Sequence, residues 1–129
     1  MNNLKVVTTS NLKDCTEQEV FDFIANHLLT QKVKASNELG KCFYRTSDGR
    51  KCAAGCIIED SFYKESFEGH DWSFIKNEYS TESINLDYHF KLIYNLQSIH
   101  DTKGIIFWKE SLKRLAEERN LSTEILDKF

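Results

Sequence analysis

Four residues invite a chemical reading before anything else in the chain. Cys42, Cys52 and Cys56 are separated by nine and three residues, and His100 lies downstream as a fourth donor. Structural zinc takes four nitrogen or sulfur ligands in a tetrahedron, so three thiolates and one imidazole form a possible zinc set, with His70 an alternative fourth member. The spacing does not reproduce paired C-x2-C knuckles. The plainer expectation is that small cysteines beside Ala53, Ala54 and Gly55 fill a tight core, since cysteine is among the most buried residue types.

A thiol nucleophile is the second chemistry these residues allow. It would need a depressed pKa, a histidine within hydrogen-bond reach and donors for an oxyanion. A helix starting near Cys52 would lower its pKa, with His100 or His89 as base. The dipeptide His100-Asp101 is also the signature of metal phosphohydrolases, but neighbours on one helix point about 100° apart, so a metal would need His27, His89 or Asp127 recruited from elsewhere. No residue is assigned as catalytic. G-x4-GK[ST], G-x-S-x-G, H-E-x-x-H and G-x-G-x-x-G are all missing from the sequence, and Arg50-Lys51 beside Gly49 is too little for a phosphate loop.

The elements that must position these groups are mostly helical. Thr16 followed by Glu19 is a capping box, and Val20, Phe21, Ile24, Leu28 and Leu29 recur behind it at helical spacing, which predicts a helix over about 17–32. A second stripe, Leu86, His89, Phe90, Ile93, Leu96 and His100, predicts a helix over 86–100. A third helix is expected from Ile105 to about Arg119, burying Trp108, Leu112, Leu115 and Ala116. A short turn begins at Ser122. Leu4 to Thr9 reads as a short strand or extended arm. Between the helices, Ser47-Asp48-Gly49 is turn chemistry for a tight hairpin, and Cys52 to Ile58 is expected as a helical turn with Cys52 and Cys56 on one face. The aromatic segment Phe62, Tyr63, Phe67, Trp72 and Phe74 is expected as short helical turns over the core. The fold class is therefore mainly α (α+β), one compact domain over 1–129 with a small β-hairpin or Cys-rich turn near 42–56.

Composition narrows the function classes. The 129 residues are 40% hydrophobic and 29% charged, with a net charge of −3, ordinary globular usage that disfavours disorder. No run of Lys or Arg exceeds two residues, and nucleic-acid binders usually carry a basic stripe, so nucleic acid is not the expected partner. Mimicry of nucleic acid by carboxylates is disfavoured too, because Asp and Glu are interspersed with Lys. The longest strictly apolar run, Ile105 to Trp108, is far below the roughly 20 residues of a membrane span. With no basic-then-apolar stretch at the N-terminus, the expected location is the cytosol, where thiols stay reduced.

Read together, Cys42-Phe43-Tyr44-Arg45, Asp48-Gly49-Arg50-Lys51-Cys52-Ala53-Ala54-Gly55-Cys56-Ile57-Ile58, Glu68-Gly69 and Leu96-Gln97-Ser98-Ile99-His100-Asp101 give the chain a resemblance to a family. It is similar to a widespread family of small phage and prophage proteins with an opening helix, a C-x-Y-R turn, a CA-x-G segment and a late LQ-x-x-HD helix. The likeness covers residues 16 to 119. It implies an accessory protein of a phage or mobile element in the host bacterial cytosol, one that binds a host or viral macromolecule such as a host enzyme or defence component. It implies no activity. The surface expected to do this is built from the Cys-rich turn and the aromatic segment, with Tyr44, Arg45, Lys51 and Trp72 as candidate binding residues. The alternative is a metal- or thiol-dependent hydrolase using Cys42, Cys52, Cys56 and His100, with zinc as the possible cofactor.

Overall fold

The computed structural model describes residues 4–129 and contains four α-helices joined by loops and single 3-10 turns. Helix α1, Glu17–Gln31, begins where expected. The Thr16 side chain accepts from the Glu19 N–H at 3.1 Å, and the Glu19 carboxylate accepts from the Thr16 N–H at 2.8 Å. Two of the helix's otherwise orphaned donors are thereby satisfied. Its inner face buries Val20, Phe21, Ile24, Ala25 and Leu28. Lys32 ends it in the left-handed conformation, returning its N–H to the Leu28 carbonyl.

The aromatic segment folds as expected into a 3-10 turn, Glu65–Phe67, and helix α2, Trp72–Tyr79, capped by Asp71. Phe62, Phe67 and Trp72 are buried in the core.

Helix α3, Phe90–Thr102, starts four residues later than the apolar stripe suggests. Leu86 is fully buried, but the backbone at 86–89 is used otherwise: Leu86 N–H donates to Ser80 Oγ, Asp87 N–H donates to Asn85 Oδ1, and His89 adopts a left-handed φ of 59°. These side-chain acceptors offer the chain a local alternative to the helical ladder. Similarly, Ile105–Phe107 forms an exposed 3-10 turn, and helix α4, Trp108–Glu118, begins only at Trp108. Helix α4 closes on left-handed Asn120, with Leu121 N–H reaching the Ala116 carbonyl. A last 3-10 turn, Glu124–Lys128, follows Ser122, whose hydroxyl accepts from Glu124 N–H. Helix α1 packs against α3 and α4, α3 also packs against α2 and α4, and the core lies among them.

The expected β element is smaller than a hairpin. Among the described residues there are two isolated antiparallel bridges, Ser36 with Cys42 and Arg45 with Lys51, the second closing the turn through Gly49. Leu4 to Thr9 forms no strand: residues 4–8 are irregular and Thr9 enters a turn, its N–H reaching the Ile57 carbonyl. The Cys-rich segment does turn helically, Cys56 N–H bonding to the Cys52 carbonyl ahead of a 3-10 turn at Gly55–Ile57. Gly55 is needed there because a Cβ would overlap the Tyr44 carbonyl oxygen and lie 2.9 Å from its carbon.

Candidate functional site

The Cys-rich turn and the aromatic segment meet at one carboxylate. Glu68 accepts from the Tyr44 N–H at 2.8 Å, the Arg45 N–H at 3.2 Å and the Tyr63 hydroxyl at 2.6 Å. The Tyr44 hydroxyl adds a bond to the His70 carbonyl at 2.7 Å. Spacing in sequence gave Glu68 no role, although Glu68-Gly69 is one of the motifs that carry the family resemblance. Between the segments so joined lies a cleft of about 480 Å³, walled by Cys42, Phe43 and Tyr44 on one side, Asp71 and Trp72 on the other, and α3 residues including Tyr94 and Asp101.

The candidate binding residues divide in two. Tyr44 and Trp72 belong to this cleft, their ring centroids 6.4 Å apart. Both are buried, and burial pushes the Tyr44 hydroxyl pKa far up, so it stays a neutral donor. The Arg45 guanidinium instead braces the fold: it donates to the Ile58 carbonyl at 2.8 Å, pairs with Asp60 at 2.9 Å and stacks 4.3 Å from the Tyr63 ring centre. Lys51 uses its backbone, its carbonyl accepting from His27 Nε2 at 2.8 Å and Gln31 Nε2 at 2.9 Å, and lines a separate groove beside α1.

Of the metal candidates, the structure brings together Cys42 and His100, joined by Asp101 rather than by the other cysteines. One donor atom from each lies within 4.8 Å of the others. Cys52 is buried and its Sγ accepts from the Gly55 N–H at 3.2 Å. Cys56 donates to the Ala53 carbonyl at 3.2 Å and faces the groove beside His27. Cys52 and Cys56 therefore line different clefts, and the four-ligand set of Cys42, Cys52, Cys56 and His100 is not assembled. The fourth cysteine, Cys15, is buried against the Asn11 carbonyl. The other histidines considered for recruitment are occupied elsewhere: His27 with Lys51, and His89 with the Cys15 carbonyl at 2.8 Å.

The chemistry open to the remaining trio follows from the His100 tautomer. Its fully buried ring has Nε2 3.0 Å from the Ala35 N–H, which can only donate, so Nε2 accepts and is unprotonated. The proton then resides on Nδ1, which donates to Asp101 Oδ1 at 2.8 Å. Gln97 fixes the same oxygen at 2.8 Å and uses its own carbonyl to accept from the Ala54 N–H at 2.8 Å. Neither ring nitrogen is free to act as a base toward Cys42. The Cys42 thiol is pushed up by burial first and by the neighbouring Asp101 carboxylate second, the reverse of an activated nucleophile. Zinc fits poorly for the same reason. A metal on Nδ1 would require the proton on Nε2, where it would face the Ala35 N–H head on.

No family model matches the chain, and neither a curated protein nor a solved structure matches it.

Proposed function

We propose that this protein acts by binding, as an accessory protein of a phage or mobile element whose partner is a host or viral protein. The observation carrying this reading is that the Cys-rich turn and the aromatic segment, successive along the chain, fold back on each other through Glu68 and wall a single cleft. Around it, the side chains that would have to perform catalysis are committed to one another. A cleft with aromatic walls and a few polar groups suits recognition. The family resemblance points the same way, to an interaction inside the bacterial cytosol with a host enzyme or defence component.

The test is site-directed photocrosslinking in the host. Tyr94, 42% exposed at the cleft, is replaced by p-benzoylphenylalanine, and the exposed Ile106 on the α3–α4 connection is replaced in a control. The expected outcome is one adduct of discrete mass from position 94 that is absent from position 106 and is suppressed by excess unmodified protein. No adduct, or the same adducts from both positions, refutes binding at the cleft. The hydrolase alternative is met by elemental analysis of the purified protein: zinc near one equivalent would restore a metal site.

A further inference from the structure

Three properties of the cleft bear on what part of a partner it takes. Asp71 and Asp101 both face it, and among the described residues neither is paired with a lysine or arginine. Asp71 receives its hydrogen bonds, from Phe74 N–H and Ser73 Oγ, at Oδ1. Asp101 receives those of His100 and Gln97 at Oδ1 as well. All these donors are neutral, so both carboxylates keep their charge at the cleft. Second, the indole N–H of Trp72 has no acceptor, although the residue is fully buried in the cleft's wall. A buried donor without a partner is uncommon and costly. Third, the rim carries aromatic faces that tolerate a cation: Lys41 Nζ already lies 5.6 Å from the Phe43 ring centre, and Tyr94 is half exposed close by.

Resting on the reading that a protein partner occupies this cleft, we propose that the partner inserts an arginine. Its guanidinium is placed between Asp71 and Asp101, flanked by the rim aromatics and lying against the wall that holds the Trp72 indole. Arginine fits better than lysine because its planar fork addresses carboxylates two bonds at a time and stacks on rings. Lys41 opposes the incoming charge and swings aside as the arginine enters.

The probe is N-acetyl-arginine N-methylamide, titrated into the 15N-labelled full chain and followed by NMR. Saturable shifts are expected at Tyr94, Ser98 and Thr102 amides and at the Trp72 indole. The Trp108 indole, already donating to the Lys103 carbonyl, is expected to stay still. The citrulline analogue should bind about tenfold more weakly, the difference between a charged and a neutral hydrogen bond. The double substitution Asp71→Asn and Asp101→Asn, which keeps the α2 cap and an acceptor for His100, should abolish the shifts, and Lys41→Met should strengthen binding. Equal binding of citrulline, a preference for the lysine analogue, or no saturable shift overturns the proposal. Failure here with successful crosslinking from position 94 removes the arginine and leaves the partner reading standing. Arginine binding with no adduct in the host removes the protein partner and leaves a guanidinium site.

Discussion

The tautomer of His100 makes a quantitative demand on stability. His100→Leu removes the ring while keeping a buried apolar side chain of similar size beside Trp108, whose ring centre lies 5.5 Å away. The Ala35 N–H then loses its acceptor in a dry interior, at a cost of about 1–3 kcal/mol for an orphaned buried donor. The Asp101 end adds little, since that carboxylate is 39% exposed and water can replace the lost donor. Against a total stability of roughly 5–15 kcal/mol the variant still folds. With a urea slope of about 1–3 kcal/mol per molar, its midpoint should fall by about 1 M with the slope unchanged. Asp101→Asn should cost less than about 1 kcal/mol in the same experiment. Hydrogen exchange supplies the residue-level readout: the Ala35 amide, protected in the parent, should exchange much faster in His100→Leu and be unaltered in Asp101→Asn. If His100→Leu matches the parent in midpoint and in Ala35 exchange, the bond from Ala35 to Nε2 carries no weight. If Asp101→Asn is as damaging as His100→Leu, the anchoring lies on the wrong side of the ring.

Two further outcomes follow from the Cys-rich turn. Gly55→Ala should be among the most damaging single-methyl additions in the chain, lowering the melting temperature by many degrees, because the Tyr44 backbone would have to retreat; thermal unfolding checks it, and a near-parental melting temperature refutes the close approach. The thiols should react slowly with Ellman's reagent at neutral pH, Cys42 first because it is half exposed and Cys52 only on unfolding. Burial raises the Cys52 pKa in the folded chain, so the protonated thiol's contribution to stability is whole below the unfolded thiol range of about 8.5 and declines as pH climbs from there through the raised folded value. Stability measured over that alkaline range should fall less steeply in Cys52→Ala than in the parent.

Helix α1 could be read from sequence because its signals are local: a capping box four residues long and an apolar face at one spacing. The onset of α3 could not, because Leu86 obeys the apolar period and is buried as the period demands, while its backbone bonds to Ser80. Periodicity reports burial, and here burial and helix part company. The same limit applies to the β element, where the turn residues around Gly49 are legible but the pairing that closes the turn is a single bridge, Arg45 with Lys51. At the site, residue types suggested that Cys42 and His100 belong together, and they do meet. The partner that decides their chemistry is a backbone N–H at Ala35, 65 residues from His100, and backbone donors leave no mark on residue identity. Cys52 and Cys56 were grouped by proximity along the chain, yet the tight turn between them sends one to each of two clefts.

Glu68 has a mechanical meaning beyond its three hydrogen bonds. Because the same carboxyl group restrains the start of one wall and the approach to the other, its length, together with the Tyr44–His70 bond, sets how far the two stand apart. Shortening it by one methylene, as in Glu68→Asp, would draw the walls inward or break one set of bonds. Recognition at this surface would then change through its dimensions, with every contacting residue left in place.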